Sequence, residues 1–193
     1  MAKNTEDMKT ALYIGRFQLF HLGHLDVVKF IDAEPDISKI LIAIGSSQFS
    51  YQNKSPKWPW ANNPFTYEER KLMVEKSLEG EIAKPIEIQP VPDYFNYPKW
   101  FSHIVDNLPK FECLYTVDKA EKEYFEKNGY EVRVFPRQRN YHAAILREKI
   151  CKGDKVYREA LTKGTLDLLD SVHGEERIKM LFARDISEKL RLK

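Results

Sequence analysis

Two histidines three residues apart, His21 and His24, follow the turn Gly15-Arg16-Phe17-Gln18-Leu19-Phe20 and precede a stretch of helical periodicity. With His21 at a helix entrance and His24 about one turn in, both imidazoles can reach the same point near the helix N-terminus. Backbone N–H groups and the positive end of the helix dipole already favour an anion there. Gly15 permits a tight turn, and Gly23, lacking a side chain, lets a phosphate or a base approach the backbone. Two histidines could instead ligate a metal, but no third ligand of suitable type lies nearby in the chain. Two unrelated surface histidines are the plainer alternative. The chemistry that best fits is hydrogen-bond donation to phosphate oxygens.

The elements that must hold this turn follow from its surroundings. β-Branched and aromatic residues from Ala11 to Ile14 predict a strand, Leu22 to Asp32 a helix, and Lys39 to Ile44 a second strand. The alternation continues with helices from Tyr67 to Leu78, Lys99 to Leu108 and Ala120 to Asn128. Interleaved strands run from Ile86 to Val91, Phe111 to Val117 and Tyr130 to Phe135, and helix predominates afterwards. Thr66 and Glu69 have capping-box spacing, and Gly80, Gly129 and Gly153 each fit a helix stop. The fold class is α/β: a parallel sheet with helices on both faces and a helical C-terminal part, binding ligands at the carboxyl ends of its strands. One domain is expected over residues 1–193, with a flexible segment over 1–10. Residues 50–63 hold two prolines and two tryptophans without a steady period, which predicts a long loop. Such a loop is either a lid or an excursion whose tryptophans pack onto the body or a neighbouring subunit.

Composition narrows the function. Apolar residues at 42% and charged residues at 31% exclude a disordered or fibrous chain. The 31 basic and 29 acidic residues nearly cancel, so there is no general basic field for nucleic acid and any anion site must be local. The opening residues lack the apolar stretch of a secretory signal, and no later run could span a membrane. The expectation is a cytoplasmic protein with neither nucleic acid nor membrane as partner. Cys113 and Cys151 have no metal-ligand spacing and read as buried thiols.

The run Gly15 to His24, of the form GRFQ-x-FHxGH, resembles the signature of the HxGH nucleotidyltransferase superfamily, and specifically of archaeal-type nicotinamide-nucleotide adenylyltransferases. Gly45-Ser46-Ser47-Gln48 resembles that family's GSAQ turn, and Asn63-Pro64-Phe65-Thr66 with Glu69-Arg70 its NPFTxxER. Gly174 with Glu176-Arg177-Ile178 resembles its closing GxERI. Asp93 and Trp100 are similar to the acceptor segment, where the family stacks the tryptophan on a nicotinamide ring. The resemblance covers nearly the whole chain.

It implies a Rossmann-like nucleotidyltransferase fold and an enzyme that transfers AMP from ATP to nicotinamide mononucleotide (NMN), or to nicotinate mononucleotide, giving NAD and pyrophosphate. An acceptor phosphate is ionised at neutral pH, so catalysis can rest on alignment and charge neutralisation without a general base. By resemblance, Arg16, His21 and His24 hold the ATP phosphates and Arg147 grips their β/γ end; these four are the expected catalytic set. Substrate contacts are expected from Gly15, Phe17, Gln18, Gly23, Ser46, Gln48, Asp93, Asn96, Tyr97, Trp100, Thr116 and Asp118. Mg²⁺ is expected on the polyphosphate, with no dedicated protein cage. Assembly into a homo-oligomer is expected as well.

The chain departs from the family pattern at several points. His142-Ala143-Ala144-Ile145-Leu146-Arg147 stands where the family reads SGTEIR, keeping the arginine and losing a hydroxyl, a loss of about 1 kcal/mol in phosphate binding. Tyr97, with Asn96 beside it, replaces an asparagine that can read the carboxamide. Thr116-Val117-Asp118-Lys119 replaces an SGNP-like turn, Leu19 a proline, and Asn62 a basic residue for which Lys54 or Lys57 could substitute. Plainer readings stay open: Trp100 as a core aromatic, Arg147 as a solvated helix charge, Asp93 as a turn initiator, Arg137 and Arg139 as loop charges. His103 and His173 read as structural or surface groups. Two other functions also stay open. One is a superfamily member with another acceptor, such as phosphopantetheine or a small alcohol phosphate, against which the aromatic segment around Trp100 argues. The other is a nucleotide-binding regulatory protein without turnover, motivated by Ala143 and Ala144.

Overall fold

The computed structural model describes residues 8–136 and 139–191. Its five strands are β1 (Lys9–Gly15), β2 (Ile37–Gly45), β3 (Ile86–Val91), β4 (Cys113–Tyr115) and β5 (Glu131–Arg133), all parallel and ordered β3-β2-β1-β4-β5. Between and after them run α1 (Leu22–Ala33), α2 (Tyr67–Leu78), α3 (Tyr97–Asn107), α4 (Lys119–Lys127), α5 (Ala143–Lys152), α6 (Tyr157–Ala160), α7 (Lys163–Ser171) and α8 (Gly174–Arg191). None of the described helices is long and apolar enough to cross a membrane.

Strand alternation sorts the core into two layers. Ala11, Tyr13, Ile40, Ile42, Ile44, Cys113 and Tyr115 pack with Val28 and Ile31 of α1, Met73 and Val74 of α2, and Leu168 of α7. Leu12, Leu41, Ala43 and Leu114 face the other way, onto Ile104 of α3 and Phe125 of α4. Helices therefore cover both faces, as the alternation of elements requires. Strand order reverses at β1, with β2 and β3 on one side and β4 and β5 on the other. Loops leaving the carboxyl ends of β1 and β4 diverge there and open a crevice.

The expected elements appear with shifted ends. Lys9 and Thr10 belong to β1 rather than to a flexible segment, because the Glu112 carboxylate accepts from the Thr10 N–H at 2.8 Å and Lys9 Nζ donates to Glu131 at 2.6 Å. β4 and β5 each span three residues, shorter than the expected runs. Side-chain bonds replace the ladder at the end of β4, where the Thr116 hydroxyl accepts from the Asp118 N–H at 3.0 Å. The Thr66–Glu69 capping box forms, and Gly80, Gly129 and Gly153 all have positive φ. Cys113 is buried, whereas Cys151 is half-buried, because it lies near the exposed end of α5.

The loop over 50–63 is pinned at its far end. Asp185 of α8 accepts from the N–H groups of Trp60 and Ala61 at 2.9 and 2.8 Å, and the Arg184 guanidinium lies 3.7 Å from the Trp60 ring centre. For Trp60 the packing alternative holds. α7 approaches α2 so closely that a Cβ on Gly164 would lie 2.6 Å from the Lys76 carbonyl carbon and 2.7 Å from the Ser77 nitrogen. Helix backbone cannot yield as a flexible side chain does. Gly164→Ala should therefore cost about 1–3 kcal/mol, read as a lowered midpoint of thermal unfolding; an unchanged midpoint would show that the two helices separate freely.

Candidate active site

His21 and His24 cap their own helix. The Nδ1 of His21 accepts from the His24 N–H at 3.3 Å, and the Nδ1 of His24 accepts from the His21 N–H at 3.3 Å, a reciprocal capping box built from two imidazoles. The rings stack at 3.6 Å with 14° between their planes. Because both Nδ1 atoms accept, the neutral rings carry their protons on Nε2. The pair is thereby set up as two side-by-side donors on one cavity wall. Gly23 lies against them: a Cβ there would come within 3.1 Å of the His21 ring.

The turn that delivers His21 is strained, with φ of 47° at Phe17 and 150° at Leu19, a conformation that costs roughly 1–3 kcal/mol per residue and must be held from outside. Buried donors from distant segments hold it, carbonyl by carbonyl. Arg70 donates to the Arg16 carbonyl at 2.9 Å, Arg147 to the Gln18 carbonyl at 3.2 Å, and Thr165 to the Phe20 carbonyl at 2.7 Å. Arg70 also donates to the carbonyls of Gly45, Ser46, Ser47 and Thr66, tying the end of β1 to that of β2. Burial pulls the Arg70 guanidinium down to about 10, and these carbonyls keep its charge tolerable.

Two cavities meet along the end of β1. The first, about 420 Å³, is lined by His21, Gly23, His24, Thr116, Asp118 and Ala143, among others. The second, about 540 Å³, is lined by Arg16, Ser46, Asp93 and the aromatic residues Phe95, Tyr97 and Trp100. Ile14, Gly15 and Glu121 line both. A polar, histidine-walled chamber thus adjoins an aromatic one, with a glycine at the junction.

The cytidylyltransferase-like family model matches residues 12–172. A nicotinamide-nucleotide adenylyltransferase of Thermoplasma volcanium is 34% identical over 177 residues, covering 91% of this chain and 93% of its own length. The chain belongs to this family. Among solved structures, the bifunctional NMN adenylyltransferase/ADP ribose pyrophosphatase of Francisella tularensis superposes with a TM-score of 0.75 at 24% identity, over 96% of this chain and 56% of its own. A second structure of that protein, complexed with AMP and a manganese ion, gives a TM-score of 0.67 at 22% identity. These two likenesses establish the fold, and this chain spans little more than half of that longer protein.

The site residues anticipated from sequence divide into three groups. His21, Gly23, His24, Thr116 and Asp118 line the first cavity, Arg16, Ser46, Asp93, Asn96, Tyr97 and Trp100 the second, and Gly15 both. Phe17, Gln18 and Gln48 line neither of these two cavities, and their side chains are engaged within the protein. Phe17 is buried with its ring edge-on to His24 at 5.0 Å, so it supports the histidine. Gln18 is buried, accepting from the Phe65 N–H at 3.0 Å and donating to the Phe65 carbonyl at 3.3 Å. Gln48 makes the same two-way clip to the backbone of Asp93, at 2.8 and 3.0 Å. Arg147 is not solvated and lines neither of these two cavities. It is 3% exposed, behind the turn, with its Nε lacking a hydrogen-bond partner, and burial followed by the field of Arg16 lowers it to about 10.

Asn96 caps α3 through its side-chain oxygen, and Asp93 accepts from Ser46 and from the Phe95 N–H. Arg139 lies 3.3 Å from Asp26 on the wall of the first cavity, and Arg137 lies outside the described residues. Lys54 pairs with Glu188, so only Lys57, 4.6 Å above the Phe95 ring, stands beside the second cavity. Trp58 comes near it too, 5.9 Å from Arg16.

Two residues escaped the sequence reading. Arg70 shares a helix face with Met73, Val74 and Ser77, and a charge on a buried face was the available signal. Glu121 sits three residues after Asp118, a capping spacing that was visible, but its carboxylate accepts from Thr116 at 2.6 Å instead of reaching back to the helix start.

Proposed function

We propose that the chain transfers AMP from ATP to a pyridine mononucleotide, NMN, with ATP in the histidine-walled cavity and the pyridine ring in the aromatic one. The junction of the two cavities at Ile14 and Gly15 carries this reading, because an in-line reaction needs donor and acceptor phosphates to meet at one point. An oxygen of the acceptor phosphate attacks the α-phosphorus, the bond from that phosphorus to the β-phosphate oxygen breaks, and pyrophosphate leaves. The Nε2–H groups of His21 and His24 donate to phosphate oxygens as their charge grows. Arg16 adds positive charge at the junction. The start of α5, where His142 supplies no side-chain cap, offers uncapped N–H groups to the outer phosphates. Arg147, buried with a donor unspent, strengthens the positive field behind the turn.

Among the described residues no cluster of three His, Cys, Asp or Glu side chains could hold a metal ion. Asp93, Asp118 and Glu121 are each engaged in protein hydrogen bonds. Mg²⁺ then belongs to the substrate, arriving on the ATP phosphates. Lys57 and Trp58, between the points where the 50–63 loop is tied to α8, stand beside the acceptor side next to Phe95 and Arg16. The test is pyrophosphate release from ATP with NMN, with nicotinate mononucleotide, phosphopantetheine and no acceptor in parallel, and with CTP replacing ATP. Release is expected with ATP and a pyridine mononucleotide; release with phosphopantetheine alone, or with no acceptor tried, would defeat the assignment.

A further inference from the structure

The acceptor cavity has a wall whose charge is not explained by holding phosphates. Glu121 lines both cavities and shares the second with Tyr97 and Trp100. Its Oε2 accepts from Thr116 at 2.6 Å, and Oε1 has no hydrogen bond among the described residues. Burial first, and the neighbouring Asp118 after it, push this carboxyl up, while the Thr116 bond opposes them. A second donor is therefore in demand at that oxygen. The Tyr97 hydroxyl beside it is buried without a partner, and the fields of Glu121 and Asp118 add to its burial in keeping it protonated. Among the described cations, Arg16 shares this cavity and feels the field of Asp93, Lys119 and Arg139 line the first cavity, and Lys57 lies over Phe95.

A pyridine ring stacked on Trp100 would share its cavity with Glu121. We infer that Glu121 is a specificity-determining residue, accepting a hydrogen bond from the substituent of the acceptor ring and so selecting a neutral carboxamide over a carboxylate. This rests on the assignment of the Trp100 cavity to the acceptor. A carboxamide NH₂ satisfies Oε1, whereas a nicotinate carboxylate brings a second negative charge against Glu121, and Arg16, the cation on this cavity's lining, is already in the field of Asp93. Both carboxylate oxygens of Asp93, the other acidic residue of the cavity, are engaged by Ser46 and the Phe95 N–H, whereas Glu121 has one oxygen without a partner among the described residues.

The test compares kcat/KM for NMN and nicotinate mononucleotide in the wild type, Glu121→Gln and Glu121→Asp, with a thermal melt of each. Glutamine keeps an oxygen for Thr116 and places an NH₂ where the carboxylate oxygen was. Glu121→Gln should shift the preference toward nicotinate mononucleotide by at least about tenfold, chiefly through KM. Glu121→Asp retains the charge and should keep the NMN preference even if both rates fall, so it answers the question should glutamine impair folding. An unchanged NMN-to-nicotinate ratio in Glu121→Gln, or an equal loss on both acceptors, would overturn the inference while leaving AMP transfer intact. A wild type that adenylylates neither acceptor would overturn the cavity assignment and the inference with it.

Discussion

Turnover by His24→Ala should fall about 10²-fold or more while nucleotide binding suffers less, because the donor acts on oxygens whose charge develops in the transition state. The stacked pair explains why a single substitution has so large an effect. On the proposed reading His24 presents Nε2–H to the phosphates, and its Nδ1 accepts from the His21 N–H, so alanine removes one donor and loosens the orientation of the other. Losing the cap also costs about 1 kcal/mol of stability, and a small drop in melting temperature should accompany the kinetic loss. Single-turnover kinetics with saturating ATP and NMN separates the two effects. Near-normal turnover in a folded variant would remove the histidine pair from the chemistry.

NMN affinity should weaken roughly ten- to a hundredfold in Trp100→Ala, the range expected for losing an aromatic stacking platform, with ATP affinity nearly unchanged. The structure gives the indole two roles, which sharpens the test. One side of it lines the acceptor cavity, and the rest packs edge-on against Phe125 at 6.2 Å and beside Tyr97 at 5.1 Å. Truncation should therefore lower the melting temperature as well, but both contacts lie on the α3/α4 side of the sheet, away from His21 and His24. Calorimetry with each ligand distinguishes the roles. Equal weakening of both ligands would mean that the tryptophan acts through stability, and unchanged NMN affinity in a folded variant would rule out stacking.

Much of the site could be read from the chain because its signals are local. The helix after His21 is set by apolar spacing, the strand before Gly15 by β-branched and aromatic residues, and the stops at Gly80, Gly129 and Gly153 by a backbone freedom that glycine alone has at little cost. His21 and His24 needed no tertiary information to be placed on one helical turn. The 50–63 loop was harder, because two tryptophans two residues apart went to different places: Trp60 onto α8 and Trp58 toward Arg16.

The sequence by itself determined the order of elements, the parallel sheet they form and the turn that carries the histidines, since each depends on periodicities of a few residues. Tertiary structure alone decided which polar side chains line the two cavities and which are spent on holding backbone segments together. Gln18 and Gln48 look like ligand contacts in a motif, yet each clips a backbone segment more than 40 residues away, and Phe17 is a support beneath His24. Arg70 stands in a motif with no role assigned to it and Arg147 reads as a phosphate ligand or a solvated helix charge, yet both are buried, holding the carbonyls of a strained turn that lies 54 and 129 residues from them in the chain. No local pattern encodes such contacts. A buried guanidinium is tolerable only where several carbonyls converge on it, and convergence is a property of the folded chain.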